Sequence, residues 1–277
     1  MESDVPYKIY DKIDNGCMST VYRGYNTIHK CPVAIKIYNI LTPRVIKTAA
    51  KEADLMRRLN SINSRYFPRC YDAGYLQMSD DSENGDYDYT LTRPYLIMEL
   101  GQSIFNYANT IGIISQKIND DKLSKRSIFR KMAYAVYIMH SQGIVHSDIK
   151  LENFIITNDG NVKLIDFAGA LKMPLNQTMI PGKSSGTEGL MPPEKTTSAP
   201  IEGYATDIYC LGNALCEMTF GYVLKLENNI VRRTLLSLHP DHDLTDLLSK
   251  MICSNPFERY TIIQVINSAY LQESNKI

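Results

Sequence analysis

The chain has 277 residues, 44% of them hydrophobic, enough for one large domain or two lobes with a substantial core. Thirty basic and thirty acidic residues cancel to a formal charge of zero, so no strong field draws the protein to nucleic acid or to an anionic membrane surface. The six cysteines, Cys17, Cys31, Cys70, Cys210, Cys216 and Cys253, include no C-x-x-C pair, which excludes a sequence-local zinc or redox motif and fits a reducing compartment.

The opening MESDVPYKIY has no basic start followed by an apolar core, and no apolar run approaches the ~20 residues that span a bilayer. The C-terminus carries no prenylation box. The expectation is a cytoplasmic monomer without nucleic-acid partners or membrane insertion; an effector secreted into a host cell would look the same.

Strand patterns come first. YKIYDKID, STVYRGYN and PVAIKIYNI are rich in Val, Ile and Tyr and are punctuated by Asn-Gly and Cys-Pro turns. One helix follows in LTPRVIKTAAKEADLMRRLN, with Thr42 as N-cap and Pro43 at the first helical position. Val45, Ala49, Glu52, Ala53, Met56 and Leu59 recur at helical spacing on the side expected to face the strands. Glu52 is out of place on such a stripe, because a buried carboxylate needs a partner. FPRCYDAGYL and RPYLIMEL read as two further strands, joined by the acidic MSDDSENGDYDYT, taken as a long exposed loop.

After Gly101 the pattern turns helical. KLSKRSIFRKMAYAVYIMHSQG places Ile128, Met132, Ala135, Val136 and Met139 on one face and stops at Gly143. GYATDIYCLGNALCEMTFG is apolar nearly all round and predicts a buried helix. LTDLLSKMIC and TIIQVINSAYLQ each predict a helix, with HPDHD as an exposed turn before the first of them. Strands followed by helices give an α+β plan in two lobes.

The chemistry sits in HSDIKLENF. Asp148, Lys150 and Asn153 offer a proton acceptor, a cation and a neutral oxygen ligand within six residues. Those groups suit deprotonating a hydroxyl, neutralising a phosphate and holding Mg²⁺. Further on, NVKLIDFAGA puts Asp166 at the end of an apolar strand pattern, where it could bind the same metal. Each alone is also a common turn former.

Together these segments resemble the protein kinases, in order and through almost the whole chain. The catalytic loop H-R-D-L-K-x-x-N is matched by His146 to Asn153, and the D-F-G motif by Asp166-Phe167-Ala168. V-A-I-K stands unaltered at Val33 to Lys36, and Glu52 resembles the helix glutamate that pairs with that lysine. SSGTEGLMPPE resembles the end of an activation segment, with Arg259 where the family has the arginine that pairs with Glu194. DIYCLG, Asp207 to Gly212, resembles the family's buried helix aspartate and glycine. The first loop departs from the pattern: G-x-G-x-x-G-x-V becomes Asp14 to Val21, with only Gly16 retained. A carboxylate at Asp14 about 6 Å from a phosphate would cost about 1–3 kcal/mol, so weakened nucleotide binding is expected.

The resemblance implies a bilobal protein kinase-like fold, with an N-lobe over 1–99 and a C-lobe over 100–277. It implies ATP and Mg²⁺ as cofactors and protein serine or threonine hydroxyls as acceptors. Asp148 and Lys150 would be catalytic, and Asn153 and Asp166 would hold the metal. Asp14, Gly16, Val21, Ala34, Lys36, Glu52, Met98, Glu99, Leu100 and Ile155 would line the nucleotide site. Lys150, two residues after Asp148, and Thr187 follow the serine/threonine arrangement, and Glu152 would read a basic residue before the target hydroxyl. Ser147 stands where many kinases carry an arginine that pairs with an activation-segment phosphate, so independence from that phosphorylation is expected although Thr178, Ser184 and Ser185 are acceptors. Two alternatives stay open: a pseudokinase that binds partners without phosphotransfer, and a small-molecule phosphotransferase of kinase-like fold.

Overall fold

Val, Ile and Tyr alternate through the first hundred residues and make a five-stranded antiparallel sheet. Its strands are β1 (Tyr7–Asn15), β2 (Ser19–Asn26), β3 (Cys31–Tyr38), β4 (Cys70–Ser79) and β5 (Thr90–Glu99), in the order β1-β2-β3-β5-β4. The computed structural model describes residues 6–79, 90–111, 124–182, 191–196, 199–220 and 239–272. The chain divides into two units, Met1–Gly101 and Gln102–Ile277.

In the first unit the two-residue period of β3 decides everything. Val33, Ile35 and Ile37 lie on one face and form a core with Ile97 of β5. Ala34, Lys36 and Tyr38 take the other face, where Tyr38 packs on Val45 and Ala49 of helix α1 (Pro43–Ile62). Helix α1 begins as its sequence dictates. Thr42 caps it by accepting from Val45 N at 3.3 Å, and its buried stripe is Val45, Ala49, Glu52, Ala53, Met56 and Leu59. Cys31–Pro32 is not a turn but the start of β3. The turn is Thr27 to Lys30, stitched by Asn26 Oδ1, which accepts from the amides of Ile28 and His29. Pro32 is tolerated because pairing with β5 begins one residue later, at Val33. Strands β4 and β5 reach further than expected, taking in Met78, Ser79 and Thr90; the rest of the acidic loop, 80–89, lies outside the described residues.

The second unit carries short strands β6 (Gln102–Ser103), β7 (Ile144–Val145), β8 (Phe154–Ile156), β9 (Val162–Leu164), β10 (Leu171–Lys172), β11 (Met179–Ile180) and β12 (Ile201–Glu202). Its helices are α2 (Ile104–Ile111), α3 (Lys125–Ser141), α4 (Gly203–Phe220), α5 (His242–Met251), α6 (Ile262–Ile266) and α7 (Ala269–Gln272). Helix α3 buries the expected face, is capped by Ser124, and runs into Gly143, which takes the left-handed φ of 65° that glycine accepts without penalty. Helix α4 is the central post, with buried residues on all sides. Gly212 lets it approach α5: a Cβ there would stand 2.6 Å from Ile252 Cγ2 and 2.9 Å from Met251 Cβ. HPDHD supplies the start of α5, where Asp241 caps Leu244 N at 2.9 Å and pairs with Arg126 of α3. TIIQVINSAYLQ is two short helices, not one. Thr261 and Gln264 form a capping box, but at Asn267 and Ser268, residues whose side chains compete for backbone groups, α6 closes and α7 restarts. No helix among the described residues is long and apolar enough to cross a membrane.

Candidate active site

In the first unit the buried face of β3 meets the one carboxylate on the inner stripe of α1. Lys36 Nζ lies 2.9 Å from Glu52 Oε1 and 3.0 Å from Oε2, with Glu52 wholly buried. The Tyr38 hydroxyl also donates to Glu52 Oε2. Strand alternation puts Tyr38 on the same face as Lys36, so the carboxylate receives two partners from one strand. Such a pair holds its geometry because losing either member strands a buried charge, a cost of about 3–5 kcal/mol. Neighbouring residues follow from register: Val21 opposes Lys36 across β2–β3, and Ala34 opposes Met98 across β3–β5. Glu99 gives its N–H to Arg69 O at 3.0 Å, and its Oε2 accepts from Arg69 N at 3.1 Å. Leu100 follows, half-buried.

The loop from Asp14 to Val21 is closed by Gly16 N donating to Ser19 O at 2.9 Å. Asp14 is exposed, and its Oδ1 accepts from Asn15 N at 2.8 Å. Gly16 does not adopt a positive φ, and a Cβ there would meet only Ser19 O at 3.5 Å. Its value is therefore the open approach to its backbone.

In the second unit, HSDIKLENF runs from β7 to β8, and side chains from other elements hold the backbone of its His146–Ser147 turn. Asp207, buried at the start of α4, accepts from His146 N at 2.8 Å and Ser147 N at 2.9 Å, and contacts His140 Nε2 at 3.0 Å. Burial pushes the Asp207 carboxyl up, but the hydrogen bond and charge of His140 and the charge and amide of His146 outweigh it and hold it below the usual range. These bonds keep Ser147 at a left-handed φ of 72°, which a residue with a Cβ resists. The turn delivers Asp148, whose Oδ2 lies 3.1 Å from Lys150 Nζ and 3.1 Å from Asn153 Nδ2. Asn153 Nδ2 also donates to Asp148 O at 2.8 Å. Phe154 pairs with Leu164 across β8–β9, and Ile165 N donates to Asn153 O at 2.9 Å. Asn153 and Asp166 therefore leave the same end of that hairpin, with Asp166 itself left-handed at φ 62°. Ile155, on β8, is buried.

The following segment is anchored along its described length. Strand β10 pairs with β7, β11 pairs with β12, and Val145, Met173, Ile180 and Ile201 form a cluster beneath. Glu194 takes two bonds from the Arg259 guanidinium, at 2.6 and 2.8 Å. Thr187, Ser184 and Ser185 lie outside the described residues. Sequence reasoning missed Tyr38, whose place beside Lys36 was signalled by its i+2 spacing, and Lys195, for which no signal existed.

Residues 7–271 match the protein kinase domain. The chain belongs to the protein kinase family. Among curated proteins this kinase domain is similar to the dual specificity protein kinase Ttk of Danio rerio, 30% identical over 95% of this chain and 27% of that protein. It is similar to the dual specificity protein kinase TTK of Mus musculus, 28% identical over 93% of this chain and 32% of that protein. The probable serine/threonine-protein kinase MARK-B of Dictyostelium discoideum is 26% identical over 98% of this chain and 37% of its own length. The kinase domain thus spans well under half of each of these relatives.

Proposed function

We propose that this kinase domain transfers the γ-phosphoryl group of ATP to serine and threonine hydroxyls of proteins. The observation that carries this reading is Asp148, set in a tied-down loop with Lys150 and Asn153 each 3.1 Å from the same carboxylate oxygen. Asp148 orients the acceptor hydroxyl and takes its proton, and Lys150 neutralises charge on the phosphoryl group in flight. Lys36, fixed by Glu52 and Tyr38, binds the α- and β-phosphates. Val21, Ala34 and Met98 supply apolar walls for adenine, and the backbone of Glu99 and Leu100 meets its edge. Gly16 lets the first loop approach the phosphates, while Asp14 weakens that approach.

The donor set fits a hard divalent cation. Asn153 spends its N–H₂ on Asp148, which leaves Oδ1 as its ligand atom, and Asp166 adds a carboxylate from the same hairpin end. Mg²⁺ held there would supply charge neutralisation at the phosphates. Glu152, exposed beside Asn153, would favour a basic residue before the target hydroxyl.

The test is transfer of labelled γ-phosphate to peptide libraries offering serine, threonine or tyrosine, with and without basic residues, and to small alcohols. Asp148→Asn should lower transfer by about 10²–10⁴-fold. A wild-type rate no higher than that of Asp148→Asn would defeat the reading in favour of a pseudokinase, which the altered first loop and Ala168 favour. Equal use of tyrosine would make the enzyme dual-specific. Unchanged basic preference in Glu152→Ala would remove that residue's role.

A further inference from the structure

Lys195 is a lysine buried to 7% exposure directly after Glu194. Its Nζ donates to the carbonyl oxygen of Ser147 at 3.2 Å. Taking an ammonium out of water costs several kcal/mol, so a lysine does not lie there without compensation. The position is built. The Arg259–Glu194 pair fixes the residue before it, Lys195 N donates to Pro192 O at 3.0 Å, and Arg259 is itself buried and bound to Ala205 O and Cys253 O.

The two ends of residue 147 are therefore held from different elements. Asp207 of α4 takes its N–H, and Lys195 takes its C=O, one peptide bond before the Asp148 carboxylate. Rotation of that peptide would swing Asp148, and the left-handed φ of Ser147 means that the unrestrained chain would rotate it. We propose that Lys195 is a positioning residue for the phosphotransfer reaction: its buried cation locks the Ser147–Asp148 peptide and thereby sets the direction of the Asp148 carboxylate. The lock acts whenever the chain is folded. This inference rests on the phosphotransfer reading and deepens it.

The experiment compares wild type, Lys195→Met and Lys195→Arg in steady-state transfer and in hydrogen exchange of residues 144–150. Lys195→Met should lose about 10- to 100-fold in kcat with KM for ATP within about twofold, since misplacing a reacting group by about an ångström costs that much. Lys195→Arg should restore kcat to within about threefold, because a longer cation still reaches the carbonyl. A Lys195→Met kcat within about twofold of wild type, or a loss shared equally by Lys195→Arg, overturns the proposal. Where Lys195→Met does not fold, Lys195→Gln keeps a donor without charge, and wild-type kcat in that variant overturns the requirement for a cation. If wild type transfers no more phosphate than Asp148→Asn, the phosphotransfer reading falls by itself. Exchange then still decides the lock: faster exchange of residues 146–148 in Lys195→Met supports it, and unchanged exchange overturns it.

Discussion

Glu217, on α4, has its carboxyl pushed up to about 7, by burial first and by the charge of Glu152 second. Its ordinary value is 4.5, so the folded protein holds the proton more tightly than the unfolded chain does. The stability that this contributes is fully present below the unfolded value and is lost as pH rises through about 7. Glu217→Gln, permanently neutral, should therefore match wild type only below the unfolded value, near about pH 4, and exceed it near about pH 8. The full shift corresponds to about 3 kcal/mol, but the residue is only half-buried, and solvent screening reduces the expected gain to about 1 kcal/mol, or about 2–4 °C in Tm. Thermal melts across that range check the sign, and a gain that grew toward acid would contradict it. At this scale the sequence disclosed the residues whose chemistry is odd for their place. Glu52 interrupts an apolar stripe, and Asp148, Lys150 and Asn153 crowd a short loop. It could not disclose Lys195 or Glu217, because a lysine or glutamate becomes unusual only when distant residues bury it.

Elements were legible where a local signal marked their ends. Helix α1 has an N-capping threonine, a proline at its first position and an unbroken stripe, and all six stripe residues are buried. The helix expected over TIIQVINSAYLQ lacked any such warning of its break, since its apolar positions keep helical spacing across Asn267 and Ser268. Pro32 misled in the other direction, because its tolerance depends on where β5 begins to pair. Helix α4 offers a test in which two effects oppose each other. Gly212→Ala gains about 1 kcal/mol of helix propensity. The new methyl would press on Met251 Cβ and Ile252 Cγ2, atoms close to the backbone of the α5 terminus, and overpacking of that kind costs about 1–3 kcal/mol. Net destabilisation of up to about 2 kcal/mol is expected in chemical denaturation; a stabilised variant would show that α5 yields freely.

At the scale of the molecule, the change from strand to helix patterns near Gly101 was plain in the sequence, and the chain divides into its two units at that residue. What the sequence left open was how the segment after Asp166 keeps its course without an arginine at 147. Its described contacts up to Ile180 are chiefly backbone pairing and apolar packing, and its far end is held by the Glu194–Arg259 ion pair. Strand β11 pairs with β12, Thr178 O accepts from Gly203 N at 2.8 Å, and Ile180 sits in the cluster with Val145. Gly203 makes that approach possible, since a Cβ there would lie 2.9 Å from Ile180 Cγ2. None of these contacts draws on a phosphate. Phosphatase-treated enzyme should retain its transfer rate within about twofold, given that phosphorylation orders a segment by adding new charged pairs. Abolished activity after treatment would refute this.

Ser147 gives its peptide N–H and C=O to Asp207 and Lys195, while its buried Oγ has no hydrogen-bond partner among the described residues. In the terms of sequence drift, its hydroxyl is a passenger. Glycine, which enters the left-handed region freely, should replace it without harm, whereas a β-branched valine would not fit. The letter between histidine and aspartate can thus wander among small residues, and the constraint has moved to positions 195 and 207, far away along the chain.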